Sequence, residues 1–362
     1  MHTSKQHKMA AHAWHAAATK IHDPVWQDNE RGEMHHCVAT SRDGRWMLRT
    51  HFDASSVDVF RVDLPQHVVF ERGFEIPVHA AVEALAVSPD SRSFAIGCSN
   101  WNAYVARFIG VDGRLVQEGV ALQTFRGHTS SVTSVCFSQD SKHLVTGSTD
   151  YTVRIWDVAS QTELRVLRNP SWVYSVDIIP NSSRVAAGML NGTVYVWDVN
   201  GNEPIYRLLD FWSSVDSVAC SNDGRWMACS SSTGTLRIYT SEGTPKHNIE
   251  LAQTPIHMVA FSPNSALLAA ACKNYICVWS VEDGTVQYAI ETKGSVNRGV
   301  AFVGRSNNYV VTCADHRGVQ VWDLRESVRN AILASLANPA WERFFLYDDG
   351  DHANATRVVG FS

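Results

Sequence analysis

Short runs in which apolar and polar side chains alternate recur along most of this chain at a nearly fixed interval. Val153-Arg154-Ile155-Trp156, Val194-Tyr195-Val196-Trp197 and Val319-Gln320-Val321-Trp322 alternate with period two and are rich in β-branched and aromatic residues, the pattern of a half-buried strand. A second run is mostly apolar: Val38-Ala39-Thr40-Ser41, Leu85-Ala86-Val87-Ser88, Val135-Cys136-Phe137-Ser138, Val176-Asp177-Ile178-Ile179, Val218-Ala219-Cys220-Ser221, Val259-Ala260-Phe261-Ser262 and Val300-Ala301-Phe302-Val303. The last residues of these runs lie 47, 50, 41, 42, 41 and 41 positions apart. Asp43-Gly44, Asp140-Ser141 and Asp223-Gly224 stand between apolar runs, where tight hairpin turns tolerate positive φ. The spacing therefore predicts repeated antiparallel units of about 40–45 residues, each a small sheet.

The aromatic anchors keep the same register. Trp156, Trp197, Tyr239, Trp279 and Trp322 are 41, 42, 40 and 43 positions apart, and Asp43-Gly44-Arg45-Trp46-Met47 returns as Asp223-Gly224-Arg225-Trp226-Met227. The most complete unit runs from Phe125-Arg126-Gly127-His128 through Thr146-Gly147-Ser148-Thr149-Asp150 to Val153-Arg154-Ile155-Trp156-Asp157. On these residues the chain resembles the WD-repeat β-propellers over about residues 30–326. The resemblance implies an all-β fold of seven four-stranded blades in one ring, residues 31–326, flanked by an N-terminal tail of residues 1–30 and a short, partly helical C-terminal extension of residues 327–362.

The resemblance also implies a buried His, Ser/Thr, Asp and Trp network in each blade. Only the third blade matches in full, as His128, Thr146, Asp150 and Trp156. Blade four has Asn169, Ala187, Asn191 and Trp197, and blade seven has Thr312 and Trp322 but His316 at the Asp position. The expectation is that most other blades rely on apolar packing. The network itself reads as structural rather than catalytic, since buried polar groups need partners.

Composition adds to this picture mainly by exclusion. The net charge is −5 with acidic and basic residues interspersed, which gives no basic footprint for direct nucleic-acid binding and no polybasic segment for a membrane. No apolar run approaches the roughly 20 residues of a membrane span, and the N-terminus carries no apolar signal core. The eight cysteines fall mostly in predicted strands without CxxC pairing, so reduced core thiols and a cytoplasmic or nuclear setting are expected. The sequons at Asn181, Asn191 and Asn354 are then not expected to carry glycans.

The ends depart from the repeat. Met1 to His22 lacks acidic residues and carries His2, His7, His12, His15 and His22; it reads as a tail, since a metal site at His12 and His15 needs further fixed ligands. Ala13–Trp26 is the candidate ring-closing strand. Val328, Ile332, Leu333 and Leu336 fall at helical spacing between Ser327 and Asn338. The cluster Trp341, Phe344, Phe345, Leu346 and Tyr347 is read as the outer strand of blade seven, with a docking element as the other reading. Val359-Gly360-Phe361-Ser362 resembles the start of an eighth repeat, either of a longer propeller or as a local addition.

No phosphate loop, nucleophile elbow, zinc helix or EF-hand loop occurs. No cofactor, no metal and no catalytic activity are therefore expected. The resemblance implies a scaffold that assembles protein partners through the top face of the ring, formed by the loops entering the inner strands and the turns between second and third strands. Aligned to Thr133, the other blades carry His36, Glu83, Tyr174, Asp216, His257 and Arg298; Trp172 aligns with Ser131, and Trp101 and Asp315 extend the rim. Trp172, Tyr174 and Arg298 are the expected anchors, because interface energy concentrates in Trp, Tyr and Arg. The alternative is a reader of peptides or modified tails, like the Groucho-type chromatin corepressors, whose fungal members Tyr174-Ser175-Val176-Asp177 followed by Pro180 resembles.

Overall fold

The computed structural model describes residues 26–27, 37–50, 55–63, 69–108, 122–251, 254–292, 296–314, 318–325, 345–347 and 357–359. Period-two alternation gives antiparallel strands throughout, gathered into seven four-stranded sheets. Blades one to six are each built from four consecutive strands, from Val38–Thr40 to Val69–Pro77 in blade one and from Ile256–Phe261 to Val286–Glu291 in blade six. Blade seven takes Asn297–Phe302, Tyr309–Ala314 and Gly318–Asp323, and its fourth strand is Trp26–Gln27 from the other end of the chain. Trp26 pairs with Val321 and Gln27 with Gln320, so the first and last parts of the ring are joined by hydrogen bonds.

This corrects the reading of the C-terminal aromatic cluster. The outer position of blade seven is filled by Trp26–Gln27, whereas Phe345–Tyr347 pairs with Arg357–Val359 in a separate two-stranded sheet. The helix expected over 327–338 and the tail histidines lie outside the described residues.

Apolar clusters run between neighbouring blades. Phe125 and Trp156 of adjacent sheets pack with Val132, Val135 and Leu144, and Trp279 packs with Ile249 and Ile256. Trp197 and Trp322 are buried, consistent with the large area an aromatic ring removes from water. The inner strands are also tied sideways by polar bonds: Ser134 Oγ accepts from Val176 N at 2.9 Å, Ser175 Oγ from Val218 N at 2.9 Å and Ser217 Oγ from Val259 N at 3.2 Å. Asp177 Oδ2 accepts from Cys220 N at 2.7 Å in the same manner. All eight cysteines are free thiols.

Candidate protein-interaction face

Each blade has one interior position where the second strand, the third strand and the preceding loop meet. In blade three Trp156 Nε1 donates to Thr146 Oγ1 at 3.0 Å, Thr146 Oγ1 lies 2.6 Å from His128 Nε2, and His128 Nδ1 lies 2.8 Å from Asp150 Oδ2. A neutral His128 protonated on Nδ1 satisfies every group: the indole donates to the hydroxyl, the hydroxyl to Nε2, and Nδ1 to the carboxylate. Thr129 N and Thr152 N and Oγ1 complete the shell of Asp150. Burial pushes the Asp150 carboxyl up, but the hydrogen bonds from His128 and Thr152 outweigh it and hold the group well below the usual carboxylate range.

The expectation that most other blades use apolar packing here is corrected. Blade one buries an ion pair, with Arg49 Nε and Nη2 each 2.9 Å from Asp58 Oδ2 and both side chains fully out of solvent. Blade four bonds Trp197 Nε1 directly to Asn169 Oδ1 at 3.1 Å. Blade five bonds the Tyr239 hydroxyl to Asp210 Oδ2 at 2.9 Å, and blade seven bonds Trp322 Nε1 to Thr312 Oγ1 at 3.1 Å. In these four blades, as in blade three, a polar contact is kept while the residues that make it change; blade two has Ile96 and blade six Ala270 at the Thr146 position, and these two are apolar there.

The rim has a structural cause that alignment detects without naming. In six blades the pairing of first and second strands slips by one residue at the same place, between Val82 and Ala84, Val132 and Ser134, Val173 and Ser175, Val215 and Ser217, Ile256 and Met258, and Asn297 and Gly299. The extra residues are Glu83, Thr133, Tyr174, Asp216, His257 and Arg298. A β-bulge leaves its extra residue outside the ladder and re-aims it, which frees these six side chains to differ. Glu83 is exposed and the other five are half-buried. Tyr174 and Asp216 are electrostatic neighbours: burial and then the Asp216 charge push the Tyr174 phenol up, and burial pushes the Asp216 carboxyl up against its bond from Ser214. Arg298 stands three blades from Tyr174 around the ring. His36 and Asp315 lie outside the described residues.

Several exposed residues on this face escape the alignment. Trp212 is 99% exposed, and Tyr151, Leu190 and Leu209 are also exposed. Backbone bonds link their segments in order: Asn169 N donates to Tyr151 O at 2.8 Å, and Leu190 N to Trp172 O at 3.0 Å. Gly192 follows in the same turn, and a Cβ there would lie 2.3 Å from Phe211 O, beside Trp212. An apolar arc thus runs over blades three to five, and Trp101 occupies on blade two the turn position that Tyr151 occupies on blade three. Trp212 had one signal in the sequence, a large aromatic in the loop Phe211-Trp212-Ser213-Ser214 outside any alternating run.

Trp101 and Tyr151 carry a further oddity. Their turns have φ of 72° and 70°, and the equivalent positions in blades four and five are Gly192 and Gly234. A bulky residue in the left-handed region is strained, yet these two are 54% and 49% exposed.

The family model described as WD domain, G-beta repeat matches residues 119–157, 161–198, 203–240 and 243–280. These matches cover all of blades three to six or most of them, inside a ring of seven four-stranded sheets. Residues 119–280 carry WD repeats within a seven-bladed β-propeller. Among relatives of this propeller, Protein LST8 homolog of Drosophila melanogaster is 28% identical over 170 residues, 44% of this chain and 54% of its own length. Target of rapamycin complex subunit wat1 of Schizosaccharomyces pombe is 27% identical over 211 residues, 56% of this chain and 65% of its own. Target of rapamycin complex subunit LST8 of Mus musculus is 25% identical over 184 residues, 48% of this chain and 56% of its own. In each case the chain spans less than two thirds of the relative's length. Among the described residues no group of three or more His, Cys, Asp or Glu converges as metal ligands, and no helix is long and apolar enough to cross a membrane.

Proposed function

We propose that this propeller is a non-catalytic scaffold that holds protein partners on its top face, centred on Trp101 and the arc from Tyr151 through Trp172 to Trp212. The observation that carries the reading is the pair Trp101 and Tyr151, exposed aromatics in a left-handed turn where glycine serves two other blades. Such residues strain the free ring and bury little in it, so contact with a partner is the return they offer. The arc is apolar and aromatic with Asp216 and Glu83 beside it, as in the anchored core and polar rim of a protein interface.

The relatives named as Target of rapamycin complex subunits support a role in a multiprotein assembly of that kind. Eight free thiols support a reducing compartment, cytosol or nucleus. Affinity purification of the full chain, followed by mass spectrometry, tests both levels. Stoichiometric recovery of a defined set of subunits is expected, and loss of that set from a folded Trp172→Ala, Tyr174→Ala, Trp212→Ala variant locates the contact. Each change should weaken affinity by about 1–2 kcal/mol. Recovery of the same partners at unchanged affinity would move the site elsewhere. Recovery of only a histone-type peptide would favour the reader instead.

A further inference from the structure

The face opposite the aromatic arc has a different chemistry. There the turns between first and second strands repeat one design, in which a serine hydroxyl bonds an acidic side chain two residues on: Ser41 to Asp43 at 2.6 Å, Ser88 to Asp90 at 2.6 Å, Ser138 to Asp140 at 2.6 Å and Ser221 to Asp223 at 2.5 Å. The same carboxylates accept the backbone N–H of the following cation, Arg45, Arg92, Lys142 and Arg225. One oxygen of each acid is thereby turned back into its own turn, while the four cations are exposed.

Neighbouring turns are also bonded to one another around the mouth of the central channel. Asp43 N donates to Ser91 Oγ at 3.3 Å, Asp90 N to Ser141 Oγ at 3.2 Å, Asp223 N to Ser265 Oγ at 3.2 Å and Asn264 N to Asn307 Oδ1 at 3.4 Å. Between blades one and seven the contact is steric: Gly44 and Gly304 both have positive φ, and a Cβ on Gly44 would lie 2.5 Å from Gly304 Cα. This close approach sets Arg45 and Arg305, the residues following the two glycines, on touching turns. Arg42 completes the group by reaching from blade one to Asn222 of blade five, with Nη2 to Oδ1 at 2.7 Å.

Arg42, Arg45 and Arg305 line one depression of about 650 Å³ with Asp43, Pro89, Asp90, Ser91, Pro263 and Asn264. Arg305 makes no hydrogen bond or ion pair among the described residues, and Arg45 holds only a long contact to Asp43 at 3.7 Å. Guanidinium forks are suited to phosphate oxygens, and a concave rim on a low-dielectric wall concentrates their field. The volume is that of a small-ligand site, roughly 300–1,000 Å³. We propose that this channel mouth binds a small, multiply phosphorylated anion, with Arg42, Arg45 and Arg305 as its donors. Several phosphates are needed to engage three forks mounted on two turns, Arg42 and Arg45 on one and Arg305 on the other.

Isothermal titration of the full chain with inositol hexakisphosphate, at roughly 0.15 M salt, where the screening length is about 8 Å, tests this. One-to-one binding is expected, at least about tenfold weaker in Arg45→Ala, Arg305→Ala and unchanged in Lys142→Ala, which alters a cation of the same face outside the depression. Inorganic phosphate alone should bind at least about tenfold more weakly. The single variant Arg305→Glu, at an exposed position, carries the same test if the double variant melts early. The proposal is overturned if inositol hexakisphosphate does not bind, if the arginine variants bind it as wild type does, or if Lys142→Ala weakens it as much as they do. Equal binding of inorganic phosphate overturns the multivalent form.

Discussion

Blades one and three fill the same interior position with opposite chemistry. In blade three Thr146 lies opposite Arg154 across the strand pair and Trp156 anchors the third strand; in blade one the corresponding residues are Arg49, Asp58 and Phe60. Blade three solves the position with a chain of hydrogen bonds in which the single charge, on Asp150, has donors on all sides. Blade one solves it with two charges that have left water entirely, with the Arg49 guanidinium also 5.2 Å from the Phe60 ring. Removing a member of the first arrangement leaves neutral donors, such as Thr129 N and Thr152 N around Asp150, without their acceptor. The second removes the ion-pair partner of a fully buried charge, and the desolvation of that charge is the larger energy.

The largest effect is therefore expected in blade one. Asp58→Ala should destabilise by about 3–5 kcal/mol in chemical denaturation, whereas Arg49→Met with Asp58→Leu should recover most of that loss. A double variant as unstable as the single one would mean that packing rather than the buried charge sets the cost.

Next comes Asp177, whose carboxyl contrasts with Asp150. Burial pushes it up to about 6, against its bonds from Cys220 N and Ile178 N. A raised carboxyl means that between the unfolded value near 4 and about 6 the folded chain keeps a proton that the unfolded chain releases. Stability should then fall as pH rises through that window and level off above it, by at most about 3 kcal/mol at roughly 1.4 kcal/mol per pH unit. Asp177→Asn should flatten this segment of the profile; an unchanged slope would assign it to other groups. Asp150 works with the opposite sign, since its depressed carboxyl contributes stability above its unfolded value that is lost on acidification.

Asp150→Ala should cost about 1–3 kcal/mol, and more than Asn191→Ala or Thr233→Ala at the aligned positions. Asn191 bonds only within its own turn, to Thr193, and Thr233 only to serine hydroxyls. Equal melting shifts for the three variants would show that the network contributes nothing particular to blade three.

The ring was legible because its signal is periodic: a Trp or Tyr anchor in each of blades three to seven, at a spacing of 40–43 residues that a register slip would destroy. The rim was legible for a less obvious reason, that the bulge falls at the same offset in six blades, so aligning to Thr133 finds Tyr174, Asp216 and the rest. The Arg49–Asp58 pair was not, because an arginine in Trp46-Met47-Leu48-Arg49-Thr50 looks like any outward polar residue until the facing strand supplies its partner. The ring-closing candidate Ala13–Trp26 meets the observed strand Trp26–Gln27 only at Trp26; two residues are too short for alternation to fix their bounds, and the C-terminal aromatics offered a stronger pattern for the same place. Trp212 sits between aligned positions. The sign of φ at Trp101 and Tyr151 is a property of the turn, and only the glycines at Gly192 and Gly234 hinted that this turn is left-handed.

That last point gives the smallest stability effect and the sharpest contrast between interior and rim. Replacing Trp101 or Tyr151 by glycine removes the left-handed strain, worth about 1–2 kcal/mol, while the freer unfolded chain takes back roughly 0.5–1 kcal/mol. The melting temperature should therefore hold or rise slightly, a result opposite in sign to every interior substitution above. Partner recovery should fall in the same variants, because the exposed rings are what the partner meets. If Trp101→Gly and Tyr151→Gly instead lower the melting temperature and leave partner binding intact, the two aromatics are packing groups of the free ring, and the contact surface must be sought from Trp172 and Trp212 alone.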